Sequence, residues 1–425
     1  MSPSPRSLVP ALITSTTIRS ARRRLAGLKR QLTGAKPVVR YFHQADDPYS
    51  WLAVQALPHL EAAYDVQVVP FLVPPPDDAA APDRARLRQW SLRDAQTLAR
   101  GLGLSPPPAT QPDAAQIEAA EAALAGIRDA RSFALTAENT ETAWRAGEAL
   151  PAPTGDPQTA RAQGEKERRR LGHYLGGTFH FESEWYWGLD RLGYLEARLA
   201  GISARELKPF VPRREVELTP GPLNRRPVLE AYISLRSPYS YIAMERLIAL
   251  ADTWQAELRL KPVLPMVMRG LQVPLAKRLY IVRDTKREAE RLGLPFGRIA
   301  DPVGQPAERG LAVTFHAMKQ GKGAEFARSF LKGVMAEGID AGTTSGLARL
   351  CQRAGLTTAD MDAALADPSW RATAEANREA LLSLGIWGVP AFRVDDRPAH
   401  WGQDRLWAVE EDLREAAAGR FQFSV

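Results

Sequence analysis

Three short motifs could do chemistry, and each has an ordinary structural use as well. Ser237-Pro238 ends the apolar run Val228–Ser234. Serine is a favoured N-cap and proline a favoured first helical residue, so the pair marks a helix start. A hydroxyl beside the unpaired amides of a helix N-terminus is also suited to holding an anion such as a thiolate. Spacing alone leaves both uses open, with the plain helix start as the default. Gly388-Val389-Pro390 precedes the apolar Ala391–Val394. It is either a loop proline entering an edge strand or a cis proline that fixes the backbone of Val389 for pairing with an extended ligand. Gln403-Asp404 opens the last helical segment. An acid is expected there for capping and dipole reasons, and beside the other two motifs it could accept a ligand ammonium. Lys277, Tyr280 and Asp284 recur at helical spacing, for which a solvated charged face is the default explanation.

These motifs need a small sheet to position them. Val228–Ser234 is a short strand, a helix follows from about Pro238, and a second strand lies near Leu258–Val263. A long helical region runs from about Leu275 to Leu384, interrupted by the Gly- and Pro-rich Gly293–Gly304. Ala391–Val394 returns as a strand, Asp395-Asp396-Arg397-Pro398 supplies turn residues, and a final helix begins near Gln403. The order βαβ, helices, ββα is an α/β layout in which a helical block interrupts a small sheet.

The chain also repeats itself. At an offset of 190 residues Asp47-Pro48-Tyr49-Ser50 lies over Ser237-Pro238-Tyr239-Ser240, and Leu102-Gly103-Leu104 over Leu292-Gly293-Leu294. At an offset of 214 the run Trp187–Leu192 lies over Trp401–Leu406. This divides the chain into a basic amphipathic N-terminal helix (1–36), a first copy (37–207), a linker with five prolines (208–227) and a second copy (228–425). The first copy is degenerate. Asp47 replaces the serine, and a carboxylate near a thiol raises the thiol pKa. Gly176-Gly177-Thr178 stands where Gly388-Val389-Pro390 does, and without proline a cis bond costs about 2.5–4 kcal/mol. Leu189 replaces Gln403, while Asp190 persists.

The run Ala231–Ala243, with Gly388-Val389-Pro390-Ala391-Phe392 and Trp401-Gly402-Gln403-Asp404-Arg405-Leu406, resembles 2-hydroxychromene-2-carboxylate isomerases and kappa-class glutathione transferases. Lys277, Tyr280, Asp284 and Arg287, with Ala336-Glu337-Gly338, are similar to the same family, and the resemblance spans residues 228–418. It implies an α/β fold of two tandem DsbA-like thioredoxin domains, each with a helical insertion, and glutathione as cofactor. Residue by residue, it implies that Ser237 bonds the glutathione sulfur and that Val389, before a cis Pro390, pairs with the cysteinyl backbone. Gln403 and Asp404 would hold the γ-glutamyl end, and Lys277 would be a basic residue of the pocket. The asparagine common in that family before the lysine is missing from Pro262–Tyr280, where Gln272 is the nearest substitute.

The expected activity is therefore a glutathione-dependent isomerase or transferase acting on a conjugated, aromatic electrophile by thiolate addition. A free thiol is only a few per cent thiolate at neutral pH, and a hydroxyl donor at a helix N-terminus raises that fraction. The rival expectation is a non-catalytic tandem thioredoxin-fold binding module. Because family members are typically dimers, the resemblance also implies that the first copy serves the second as an intramolecular pseudo-dimer partner.

Composition narrows the classes. The single cysteine, Cys351, excludes an intramolecular disulfide, a C-x-x-C redox pair and a cysteine zinc site, so a disulfide oxidoreductase with its own CxxC is not expected. The six histidines show no metal-ligand spacing. The 425 residues carry a net charge of +7, but the excess is local. Residues 1–36 hold eight basic side chains and no acid, leaving 48 basic residues against all 49 acids, a net −1, in the rest. A nucleic-acid partner is not expected for so neutral a body. No apolar run approaches the ~20 residues of a membrane span, and a cytoplasmic location is expected. In the head, Ile18, Ala21, Leu25, Leu28 and Leu32 recur three and four apart between arginines, one face of an amphipathic helix. It could be an organelle transit peptide, a membrane-surface helix spanning about residues 15–32, or a helix docked on the protein.

Overall fold

In each half of the chain a short strand, half-buried on alternate residues at its start and fully buried over its last three, runs into a helix that starts on proline. The computed structural model describes residues 8–419; Arg6 of the basic head and residues 420–425 of the second copy lie outside the described residues. The first half contains α1 (Leu8–Ile13), α2 (Thr16–Thr33), β1 (Val38–His43), α3 (Pro48–Val54), α4 (Leu57–Tyr64) and β2 (Gln67–Leu72). It continues with α5 (Arg84–Leu102), α6 (Ala114–Leu124), α7 (Ala130–Ala146), α8 (Pro157–Leu171), β3 (Thr178–Phe181), β4 (Glu184–Trp187) and α9 (Leu192–Ser203). The second half contains β5 (Val228–Ile233), α10 (Pro238–Thr253), β6 (Glu257–Pro262), α11 (Leu275–Arg291), α12 (Gln305–Lys319) and α13 (Gly323–Lys332). Then come α14 (Thr344–Arg353), α15 (Thr358–Ala366), α16 (Trp370–Ser383), β7 (Ala391–Val394), β8 (His400–Trp401) and α17 (Leu406–Ala417).

The chain forms two compact units. One is Thr17–Arg213, and the other joins, of the described residues, 214–419 and 8–16. The division falls inside the stretch 208–227 expected as a linker. The basic head, expected as one helix and one segment, is two helices, and its two parts belong to different units. Packing decides this: Thr14, after α1, is buried against Gly297, whereas Arg23 and Arg30 of α2 pair with Glu184 and Glu182.

Each unit holds one four-stranded sheet, ordered β2-β1-β3-β4 and β6-β5-β7-β8. The first pair is parallel in both, with Val38 opposite Gln67 and Val228 opposite Glu257, so one offset of 190 relates the two registers. The other pairs are antiparallel, with helices α5–α8 or α11–α16 inserted before the third strand. The C-terminal half is thus a mixed α/β domain with the helical block expected from its sequence. Its core joins sheet residues Leu229, Ala231 and Ile233 to Leu247 of α10, Phe326 and Phe330 of α13, and Leu413 of α17. Each such buried Leu, Ile or Phe side chain contributes roughly 1.5–3 kcal/mol. Among the described residues no helix is long and apolar enough to cross a membrane.

Strand register corrects one alignment made from sequence. Thr178 and Ala391 both open their third strand, opposite Phe42 and Tyr232. Gly188 N–H donates to Gly177 O at 2.8 Å, and Gly402 N–H to Pro390 O at 2.9 Å. Gly177, not Thr178, therefore stands at the place of Pro390, and Gly176 at that of Val389.

Candidate functional site

The site lies in the C-terminal unit where β5 ends and α10 begins. Ser237 has extended backbone angles and caps α10: its Oγ accepts the Ser240 amide at 3.1 Å. The same Oγ donates to the carbonyl of Val389 at 3.4 Å. The Val389–Pro390 peptide is cis. Sequence-distant Ser237 and Val389 are thereby brought into direct contact at the entrance to β7.

Around them a wall of aromatic and charged side chains forms. Gly388 is required by it, because a Cβ there would come within 2.1 Å of the Trp401 indole. Trp401 meets Trp387 edge to face, with ring centroids 4.9 Å apart. The Lys277 ammonium lies 5.5 Å from the centroid of the Trp387 ring, in the range of a cation–π contact. Lys277 is half-buried, and burial pushes its pKa down to about 8. The Trp387 indole N–H is buried and has no hydrogen-bond partner among the described residues. Trp387 was not singled out from sequence; a tryptophan three residues before a cis proline carries no spacing signal of its own.

The α11 face is not the solvated charged face expected by default. Asp284 is buried and accepts the Tyr239 hydroxyl at 2.8 Å, with the Arg287 guanidinium at 3.6 Å. Tyr49 and Asp94 make the same contact at 2.7 Å in the other unit, so it belongs to the fold. Gln403 is also turned inward. It is 1% exposed, accepts from Arg246, and donates to Glu288 at 3.3 Å and to Asp404. Its amide is committed to this interior network, which leaves Asp404 as the outward member of the pair. Gly402, just before them, donates its N–H to the Pro390 carbonyl at 2.9 Å, which ties this corner to the cis proline. Gln272, the candidate substitute for the missing asparagine, is exposed in the loop before α11.

The loop 293–304 borders the same helix start. Arg236, next to Ser237, forms a bidentate pair with Asp301, both contacts 2.6 Å. Tyr241 donates to Pro295 O at 2.6 Å. A π-helical turn over Gly333–Glu337 accepts Gly297 N–H at Met335 O and Ala300 N–H at Val334 O, at 3.1 and 2.8 Å. The wider turn exposes carbonyls that an α-helix would use internally, and they hold the loop in place.

The corresponding corner of the other unit is closed. Asp47 caps α3, its carboxylate accepting Tyr49 N–H at 3.3 Å, Ser50 N–H at 3.1 Å and the Ser50 hydroxyl at 2.8 Å. Burial pushes the Asp47 carboxyl up to about 7 in spite of the hydrogen bonds and with help from Asp46. Gly177, with φ 59°, packs on it so closely that a Cβ would sit 3.2 Å from Oδ2. The place beside the helix start is filled by the chain's own carboxylate and backbone. Among the described residues no group of three or more His, Cys, Asp or Glu could hold a metal ion. Cys351 is 1% exposed, in the core on α14.

Residues 228–414 match the DSBA-like thioredoxin domain family, and the C-terminal half has that fold. No curated protein matches the chain. Among solved structures it is similar to a 2-hydroxychromene-2-carboxylate isomerase, with 21% identity over 45% of this chain and 97% of that one, at a TM-score of 0.39. It is also similar to the cytosolic disulfide reductase DsbM from Pseudomonas aeruginosa, with 22% identity over 44% and 96% of the chains and a TM-score of 0.36. The same reductase solved with GSH gives 21% identity, the same coverage and a TM-score of 0.33.

Proposed function

We propose that the C-terminal unit is a glutathione-dependent isomerase or transferase acting on a conjugated, aromatic electrophile. One observation carries this: the Ser237 hydroxyl sits at a helix N-terminus and touches the carbonyl of Val389, which precedes the cis proline. A hydroxyl donor and an extended backbone segment thus converge on one point, as a thiol-bearing peptide requires. The surrounding residues fit such a peptide. The unpartnered Trp387 N–H suits a carboxylate or carbonyl acceptor, Lys277 suits a carboxylate, and Asp404 suits an ammonium.

When bound, glutathione supplies a thiolate for addition to an activated C=C bond, with isomerisation if the sulfur leaves after bond rotation and conjugation if it stays. Ser237 would hold the negative charge by turning its single O–H from the Val389 carbonyl to the sulfur, and the first amides of α10 would add the favourable end of the helix dipole. Val389 orients the peptide through its backbone, and Lys277 and Asp404 fix its two charged ends. Trp387 and Trp401 exclude water from one side, which strengthens each of these contacts. No cysteine of this chain is placed to do the work, since Cys351 is buried elsewhere.

For the Thr17–Arg213 unit the geometry favours the non-catalytic alternative. Asp47 occupies the position of Ser237 and Gly177 that of Pro390, so both the donor and the proline-fixed edge are missing.

The test is calorimetry and turnover on the full chain. S-methylglutathione at about 100 times its Kd should stabilise the C-terminal unit by roughly 2.7 kcal/mol. Ser237→Ala should lose turnover and keep most of that stabilisation. Full activity in Ser237→Ala, or no response to S-methylglutathione, would sink the proposal.

A further inference from the structure

The basic helix α2 is docked the wrong way round for an ordinary amphipathic helix. Its apolar stripe faces solvent: Leu25 is 69% exposed, Leu28 55% and Leu32 87%. None of its residues is buried. The polar side makes the contacts instead. Arg23 forms a bidentate pair with Glu184, the first residue of β4, at 2.6 and 2.8 Å, and Arg30 pairs with Glu182 in the turn between β3 and β4.

Helix geometry makes this orientation exact enough to use. At about 100° per residue, Ala21, Leu25, Leu28 and Leu32 span about 60° of arc. Arg23 and Arg30 point within about 10° of the direction opposite the centre of that arc. Arg22 and Lys29 lie on one flank of the stripe and Arg24 on the other, each roughly 70–90° from its centre. Among the described residues no ion pair forms to Arg22, Arg24 or Lys29. The two arginine–glutamate pairs thus hold a leucine ridge with basic shoulders away from the unit that carries it.

We infer that α2 is a docking element for an anionic lipid surface, with the leucines entering the acyl boundary and the three basic side chains meeting headgroups. Charge complementarity selects this occupant. A second copy of α2 would bring the same basic shoulders against themselves, and residues 1–36 contain no acid to relieve the repulsion. Long basic side chains beside an apolar stripe can reach upward to phosphates while their stems stay apolar. A short apolar stripe alone binds marginally, and the cations supply the second contribution that stable attachment requires.

The experiment is sedimentation of the full chain with vesicles of phosphatidylcholine alone or with phosphatidylglycerol. Binding is expected only to the second kind, and weaker with added salt. Leu25→Ser/Leu28→Ser/Leu32→Ser should weaken it by about 100-fold or more, and Arg22→Glu/Lys29→Glu by about tenfold or more. These side chains are exposed, so an unchanged melting curve would show that the fold is retained in both variants. Equal binding to both vesicles, no binding to either, or serine-variant binding equal to wild type would overturn the inference. So would a concentration-dependent dimer, lost in the serine variant, in a chain that ignores vesicles; that result would assign the stripe to a second copy.

Discussion

Ser237 has two roles that different substitutions separate. Ser237→Ala removes both the N-cap and the donor, so it should cost about 0.5–2 kcal/mol of stability and on the order of 100-fold in turnover. Ser237→Asp restores a cap, as Asp47 does in the other unit, but places a carboxylate against the sulfur. Its melting temperature should return toward wild type while turnover stays low and the bound thiol titrates at higher pH. Recovery of activity with the aspartate would refute the assigned role. Lys277 gives a second test with a definite sign. Its folded pKa of about 8 lies below the ordinary lysine value near ~10.4. The burial penalty is therefore fully present below pH 8 and is relieved as pH rises through that window. Lys277→Met should raise the melting temperature at neutral pH and weaken glutathione binding. Wild-type affinity should decline above about pH 8, and that decline should be missing from the variant.

At the scale of elements, the site depends on how closely β7, β8 and the start of α10 approach. Gly388 lets the Trp401 indole lie across the backbone. Gly388→Ala should cost about 1–3 kcal/mol by overpacking and shift the Val389 carbonyl relative to Ser237. Loss of stability without loss of glutathione affinity would separate the tryptophan wall from the site. Most elements were legible in the sequence: the strands at Val228 and Ala391, the helix start at Pro238 and the break over 293–304 lie where periodicity and Pro/Gly signals put them. Register was not. Gly176-Gly177-Thr178 aligns with Gly388-Val389-Pro390 by eye, but the ladder moves the match by one residue. Side-chain period alone cannot fix a strand of four buried residues such as β3, because both of its faces are covered.

At the scale of the molecule, the Thr17–Arg213 unit carries unusual buried charge chemistry. Burial lowers His43 to about 3 and His180 to about 4, and takes His173 well below its ordinary value. Burial also raises Glu121 and Glu141 to about 7. The histidines contribute stability above about pH 6.5 that is lost on acidification, because the unfolded chain binds protons there and the folded one does not. The two glutamates, and Asp47 with them, act oppositely, holding protons in the folded state across about pH 4–7. The slopes offset each other, so protection of this unit in hydrogen exchange on the full chain should change little between those limits. Glu121→Gln/Glu141→Gln should expose a steep fall in protection below pH 6; an unaltered profile would mean that the carboxyls do not hold their protons.

Residue types and spacing alone determined the helix starts, the order of strands and helices along the second copy, the lack of a redox cysteine pair and the confinement of excess charge to the first 36 residues. These follow from local rules of capping, periodicity and composition. Tertiary structure alone decided the rest: that Ser237 reaches Val389 across 152 positions, that Gln403 turns inward, that Trp387 joins the wall, and that α2 shows its leucines to solvent. Each depends on contacts between segments far apart in sequence. For α2 the local pattern left a membrane-surface helix and a helix docked on the protein both open, and two arginine–glutamate pairs set its orientation.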